Sequence, residues 1–230
     1  MIKRILFLLL LSISFGFRAQ EASVLLQEVV DKLNSAKDYS VDVNIKADIP
    51  MIKILPVKAT IYFKQKDKFK VVSKGIAILP KQGFTDVNAF LAKKSAYMAV
   101  DGGQKTINSI KTTLVTVIPT VDDSEFVLAK LWIDPKRKLI IASEITTRSS
   151  GTVAVDYEYG EKSDFGLPSK MVFTVDIKKF KLPKSVASDI HDTDGKDKKK
   201  DNRKQGTIEL IFSNYKVNAG ISDEFFKKKN

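Results

Sequence analysis

From Tyr39 almost to its end, this chain keeps returning to one hydrophobic period, and that period is two. In DYSVDVNIKADI (residues 38–49), Tyr39, Val41, Val43, Ile45, Ala47 and Ile49 alternate with Asp38, Ser40, Asp42, Asn44, Lys46 and Asp48. Successive side chains of a strand point to opposite faces, so this stretch reads as a strand with one apolar and one polar side. VKATIYFKQ repeats the pattern with Val57, Ala59, Ile61 and Phe63, and DKFKVVSKG with Phe69 and Val71. YMAVDGGQKTIN reads as a hairpin turning at Asp101–Gly102–Gly103, where glycines supply positive φ. SIKTTLVTVIP, FVLAKLWID, KLIIASEITTRSSG, GTVAVDYEYG, LPSKMVFTVDIKK and GTIELIFSNYKVN complete the series. Turn signals between short strands at this spacing mark an antiparallel meander.

Helical spacing is confined to two places. Leu25, Leu26, Val29, Val30 and Leu33 predict an amphipathic helix over 22–37 with Ser23 as N-cap. TDVNAFLAKK predicts a second over 85–94, capped by Thr85 or Asp86. Residues 184–205, KSVASDIHDTDGKDKKKDNRKQ, are densely charged with few apolar side chains and read as a solvated insertion between two strands.

These elements pose a covering problem. About ten strands make a sheet roughly 48 Å wide and 30 Å tall. Two helices of these lengths cover about 400 Å² of a face near 1,400 Å². A flat sheet would leave most of its apolar face wet, so the expected fold is mainly β (α+β), a large antiparallel sheet curled into an incomplete barrel with helices on its concave face. A curled sheet this wide encloses an apolar cavity, unless bulky residues such as Phe63, Phe173, Phe212 and Trp132 fill it.

The first 20 residues, MIKRILFLLLLSISFGFRAQ, have a basic start, a short apolar run and small residues at the end. They read as a secretory signal peptide, leaving 21–230 as a single domain. Its removal takes away Lys3, Arg4 and Arg18 and no acid, so the net charge falls from +12 to +9. The chain has no cysteine, hence neither a disulfide nor a lipid-anchoring thiol, and the expectation is a soluble, exported protein held by its core. Its basic surface is drawn to anionic membranes, acidic polymers or acidic partners.

Chemistry finds little to work with. The single histidine, His191, lies in the charged insertion and has no second histidine or cysteine to share a metal or nucleophile. Asp192, Asp194, Gly195 and Asp201 invite a calcium reading, but aligning Gly195 with position 6 of an EF-hand loop puts Ile190 where an oxygen ligand belongs. The acid pairs Asp122–Asp123 and Asp156 with Glu158 fall in a turn and on the polar side of a strand. No phosphate-binding, dinucleotide or nucleophile-elbow motif occurs. The basic runs at 178–181, 196–204 and 227–229 lack the repeated aromatics of a nucleic-acid platform. No enzyme, cofactor, metal or nucleic-acid partner is expected.

Several phrases resemble the LolA/LolB-like superfamily of lipoprotein localisation factors, over essentially the whole mature chain. YSVDVNIKADIP with ATIYFKQKDKFKVVSKG is similar to its first strands and their turn, here Lys66–Asp67–Lys68–Phe69. LWIDPKRKLIIASEI is similar to its strand–Asp-Pro turn–strand at Trp132–Pro135. GLPSKMVFTVDI and NYKVNAGISDEFF resemble its closing strands and final short element, with Asn218, Asp223 and Phe226. The resemblance implies an incomplete barrel with helices as a lid over a cavity for lipoprotein acyl chains. The missing cysteine matches the soluble periplasmic carrier, LolA, rather than the lipoprotein LolB.

The expected function is a periplasmic carrier of lipoprotein acyl chains or other lipids toward the outer membrane, a monomer with transient membrane or membrane-protein contacts. The alternative is a non-enzymatic envelope sensor of the same fold (RseB-like) that binds a protein partner. The expected acyl-chain lining is Val43, Ile45, Ile61, Phe63, Val155, Met171, Phe173, Val175, Leu210 and Phe212. Between Pro50 and Pro56, Met51, Ile52, Ile54 and Leu55 form either a mouth loop that meets lipid or a plug folded under the helices.

Overall fold

The computed structural model describes residues 20–50, 54–66, 68–75, 79, 90–149, 151–176 and 204–227. Ten strands carry the period-two segments: β1 (Asp38–Asp48), β2 (Val57–Lys64), β3 (Lys68–Ser73), β4 (Tyr97–Ile107), β5 (Ile110–Pro119), β6 (Phe126–Asp134), β7 (Leu139–Thr147), β8 (Gly151–Tyr159), β9 (Pro168–Asp176) and β10 (Gln205–Val217). They form one antiparallel sheet in the order β3-β2-β1-β10-β9-β8-β7-β6-β5-β4. Neighbours are consecutive in sequence except β1 and β10, whose pairing fuses two meanders. The edges β3 and β4 do not pair with each other, so the barrel is incomplete. Helix α1 spans residues 20–34, and a short α2 spans Asp223–Lys227.

Register turns alternation into two faces. Val155, Phe173, Ile208 and Ala47 stand side by side across β8, β9, β10 and β1. Tyr157, Met171, Leu210, Ile45 and Val57 form the next row, and Phe212, Val43 and Ala59 another. These rows define the inner face. Its residues fall into two buried clusters: one from β1, β2 and β8–β10, the other from α1 and β5–β7.

The chain must pass from one edge of the sheet to the other between β3 and β4. Leu79 packs on the first inner cluster, while Leu91 is buried in the second with Phe90 against it. The described parts of the crossing thus touch the inner face, on the same side as α1.

Helix α1 buries Ala22, Leu25, Leu26, Val29 and Val30 in the second cluster. At about 1.5–3 kcal/mol per buried Leu or Val, the four larger side chains contribute on the order of 10 kcal/mol before entropy is counted. The turn after β6 holds the helix from outside. Asp134 Oδ1 accepts hydrogen bonds from the backbone amides of Lys136 (2.9 Å) and Arg137 (3.2 Å), shaping the turn. That shape lets Lys32 Nζ donate to the Arg137 carbonyl at 2.7 Å and Lys138 meet Glu28 at 2.6 Å. At the far end, Gly166 has φ +67°, and a Cβ there would stand 3.0 Å from Leu33 Cδ2, so the site favours glycine twice over.

Four expectations are corrected. Asp101–Gly102–Gly103 is not a hairpin turn; β4 runs through it to Ile107, with a bulge between Asp101 and Gln104. Gly103 takes φ +88°, and a Cβ on Gly102 would lie 2.6 Å from Leu114, so the glycines serve a bulge pressed against a neighbour. The chain turns instead at Asn108–Ser109, both at positive φ (48° and 65°), as a two-residue hairpin loop of the I′ kind requires. Ser23 is inside α1 rather than its N-cap, because residues 20–22 are already helical, and the helix ends at residue 34. Trp132 does not fill the interior; it pairs with Leu114 and Ala142 on the outer face, while Leu131 and Ile133 point inward.

The second predicted helix lies outside the described residues except at its end, where residues 90–91 are helical. The expected signal peptide (1–20), but for residue 20, and the expected insertion (184–205), but for residues 204–205, also lie outside them, and Gln205 already belongs to β10.

Candidate functional site

The ten predicted lining residues come from five strands, and all ten belong to the first inner cluster. Ile61, Phe173 and Leu210 are fully buried at its centre, and Phe63 is half-buried toward the β3 edge. Aromatic packing firms that edge: the rings of Tyr39 and Phe63 stack at 5.1 Å, and Tyr39 meets Tyr215 edge-on at 5.9 Å.

The polar groups on this wall are neutral and mostly satisfied. The Tyr157 hydroxyl lies 3.1 Å from Ser143 Oγ, and burial pushes its phenol up to about 12. Tyr159 donates to the Ile140 carbonyl and Tyr215 to the Pro168 carbonyl, each at 2.8 Å. Burial raises both phenols as well, so neither ionises at physiological pH. Among the described residues no three His, Cys, Asp or Glu side chains come together as a metal site. An uncharged wall of hydrocarbon and phenol can hold apolar matter.

At the rim after β1, Ile49 and Pro50 are buried, and Ile49 lies over Gly206, where a Cβ would stand 2.7 Å from Ile49 Cδ1. Ile54 packs on the first cluster, whereas Leu55 is 71% exposed. Met51 and Ile52 lie outside the described residues.

Two open grooves flank α1, and sequence reasoning missed both. One, of about 570 Å³, runs between α1 and the β4–β5 side past Ala22, Val24, Leu25, Asp101 and Thr113. The other, of about 690 Å³, lies between α1 and the β4 edge past Val24, Leu26, Tyr97 and Met98. Val24 and Met98 are apolar yet 53% and 55% exposed. The available signal was Val24 itself, an apolar side chain off the buried stripe of its helix.

Charge is kept at the margins. Burial alone would raise the Asp134 carboxyl, but hydrogen bonds from the Arg137 side chain and from the amides of Arg137 and Lys136 outweigh it and hold the group low. Asp122 and Asp123 are exposed in the turn before β6, and Asp156 and Glu158 lie on the outer face of β8, so neither acid pair converges in an inner cleft.

No family model matches the sequence, and no curated protein matches it. Solved structures do match. A domain described as that of an outer membrane lipoprotein-sorting protein, from Vibrio parahaemolyticus, superposes with a TM-score of 0.61 at 9% identity, over 90% of this chain and 97% of that one. The fold is LolA-like. A LolA superfamily protein from Nitrosomonas europaea aligns with a TM-score of 0.53 at 13% identity, over 88% of this chain and 97% of that one. A DUF1329 family protein from Desulfovibrio piger gives 0.57 at 10% identity, covering 91% and 97%. At such identities the likeness is one of architecture: an unclosed antiparallel sheet with a helix against its inner face. Among the described residues of this LolA-like chain, no helix is long and apolar enough to cross a membrane.

Proposed function

We propose that this protein is a soluble, exported carrier, which holds acyl chains of lipoproteins or other lipids on the inner face of its sheet and passes them across the periplasm toward the outer membrane. One observation carries the reading. The inner face is apolar and uncharged in the rows named above, and where α1 stands away from β4 that apolar interior opens into two grooves bordered by the exposed Val24 and Met98. The lipoprotein-sorting description of a structure with the same architecture supports it, as does the LolA superfamily membership of another.

The mechanism needs no covalent step. Burying hydrocarbon yields about 0.8 kcal/mol per CH₂, so a chain of about 15 carbons supplies about 12 kcal/mol before binding costs. That gross value, nanomolar if undiminished, is an upper bound once association and ordering costs are subtracted. Release therefore depends on an acceptor with a better apolar site or on displacement of α1, whose flanking grooves already part it from β4. The ten inner-cluster residues named above form the wall, and the exposed Leu55 extends the rim toward membrane or cargo. The basic surface draws the carrier to anionic headgroups.

Uptake of a fluorescent fatty acid tests this. Unmodified protein is expected to take up the probe saturably and to release it to excess lysolipid. Val24→Asp with Met98→Asp is expected to reduce affinity at least ten-fold, with a thermal midpoint within about 2 °C, because both side chains are exposed. An absence of uptake by the unmodified protein defeats the reading.

A further inference from the structure

The outer face of the sheet is laced with ion pairs: Lys130–Glu144 at 3.4 Å, Lys170–Glu158 at 3.4 Å, Lys170–Glu209 at 4.0 Å and Lys46–Glu209 at 3.8 Å. Asp156 stands within this lattice, yet has no ion-pair or hydrogen-bond partner among the described residues. Asp156 is exposed, and partial desolvation raises its carboxyl above the ordinary range.

Register explains the surroundings. Leu114, Trp132, Ala142 and Asp156 form one cross-strand row over β5–β8. Ala142 is too short to fill the space between the indole and the carboxylate, and Ala154 leaves a similar gap in the adjacent row. The result is a cleft of about 360 Å³, bordered on one side by the tip of the β4–β5 hairpin from Lys105 to Asn108. The Lys105 ammonium lies 5.7 Å from the centroid of the Trp132 ring. The cleft is thus lined by an aromatic ring that already holds a cation and, across Ala142 in the same row, by a carboxylate with none; its other carboxylate, Glu144, is paired with Lys130.

We propose that this outer cleft binds a small alkylammonium group, placed between the Trp132 ring and the Asp156 carboxylate and displacing the Lys105 side chain. The negative face of an indole attracts ammonium ions, and a nearby carboxylate adds a direct charge partner. The volume is at the small end of small-molecule sites, which suits an ethanolamine or choline unit rather than a large ligand. Such a unit occurs as a lipid headgroup or as a free amine. The cleft lies on the face opposite the proposed acyl-chain wall, so the two inferences stand or fall separately.

Trp132 is the only tryptophan in the chain, so emission excited at the red edge, where the six tyrosines do not absorb, reports on this cleft alone. The experiment titrates the full exported chain with choline and with ethanolamine at constant ionic strength. It then repeats the titration with phosphatidylglycerol vesicles, with and without phosphatidylethanolamine. A saturable change in Trp132 emission is expected, weakened at least ten-fold by Asp156→Asn and tightened about two-fold or more by Lys105→Gln, which removes the internal competitor. Thermal midpoints of both variants are expected to stay with the unmodified protein. A response to free amines assigns a soluble ligand; a response only to phosphatidylethanolamine vesicles assigns a headgroup. Three results overturn the proposal: silence toward free amines with equal signals from the two vesicle types, an unchanged affinity in Asp156→Asn, or a loss of binding in Lys105→Gln.

Discussion

Asn218 closes the molecule at a point where three segments meet. It takes φ +56° just beyond β10, and its backbone amide donates to the Asp38 carbonyl at 2.8 Å. Its side chain accepts from the Lys37 amide at 2.7 Å and donates to the Ser35 carbonyl at 3.1 Å. The exit of α1 is thereby stitched to the end of the sheet. Asn218→Ala removes two side-chain hydrogen bonds and replaces a residue that tolerates the left-handed region with one that does so less readily, so a loss of about 1–3 kcal/mol is expected. Urea unfolding checks this as a lower midpoint with unchanged slope, and Asn218→Gly is expected to lose less because it keeps the backbone freedom. The residue was legible in the sequence as part of a family-like phrase; its partners were not, because they lie about 180 positions away. The reverse failure occurred at Asp101–Gly102–Gly103. Glycine signals a turn and a bulge equally well, and the contact with Leu114 that decides between them is made by another strand.

Among elements, α2 is built from long-range electrostatics rather than from its own five residues. Asp223 meets Lys64 at 2.7 Å and Lys68 at 2.5 Å, Lys64 also donates to the Ile221 carbonyl, and Phe225 packs on Tyr62 at 4.5 Å. Hydrogen bonds from Lys64 and Lys68 pull the Asp223 carboxyl down to about 2. Its folded value is below the ordinary one near 3.9, so its contribution is fully present above about pH 4 and is lost as pH falls through about 2. The Tyr62–Phe225 ring-current shifts in an NMR titration are expected to fade across that window, and to be weak at every pH in Asp223→Asn. Salt is expected to weaken the clamp too, since Asp223 is exposed. The segment after β1 gives a second contrast. Ile54→Ser is expected to lower the thermal midpoint by several degrees because Ile54 packs on the inner cluster, whereas Leu55→Ser leaves it unchanged within about 1 °C. Alternation revealed that this segment was apolar. It could not reveal that two neighbouring residues face opposite ways, since no regular period runs through it.

For the whole molecule, the strand count and the shortage of helix carried most of the information. Ten two-faced strands with little to cover them allow few solutions, and the unclosed sheet observed is one of them. The inner wall was readable for the same reason: each of its residues is an apolar member of an alternating strand. The grooves beside α1 were not, because they depend on where one helix settles relative to an edge strand. Large-to-small change separates wall from groove. Phe173→Ala is expected to cost about 3–5 kcal/mol by calorimetry or denaturation, as a fully buried ring does. The groove variants are expected to leave stability intact and to change binding. Central to the proposed function is the holding of hydrocarbon on the inner face. It is tested most directly by native mass spectrometry of protein exported to a periplasm and purified without detergent. The account predicts a population heavier than the polypeptide by the mass of one or more acyl-chain lipids, extractable by organic solvent. A bare polypeptide mass, unchanged after incubation with excess lipid, would contradict it.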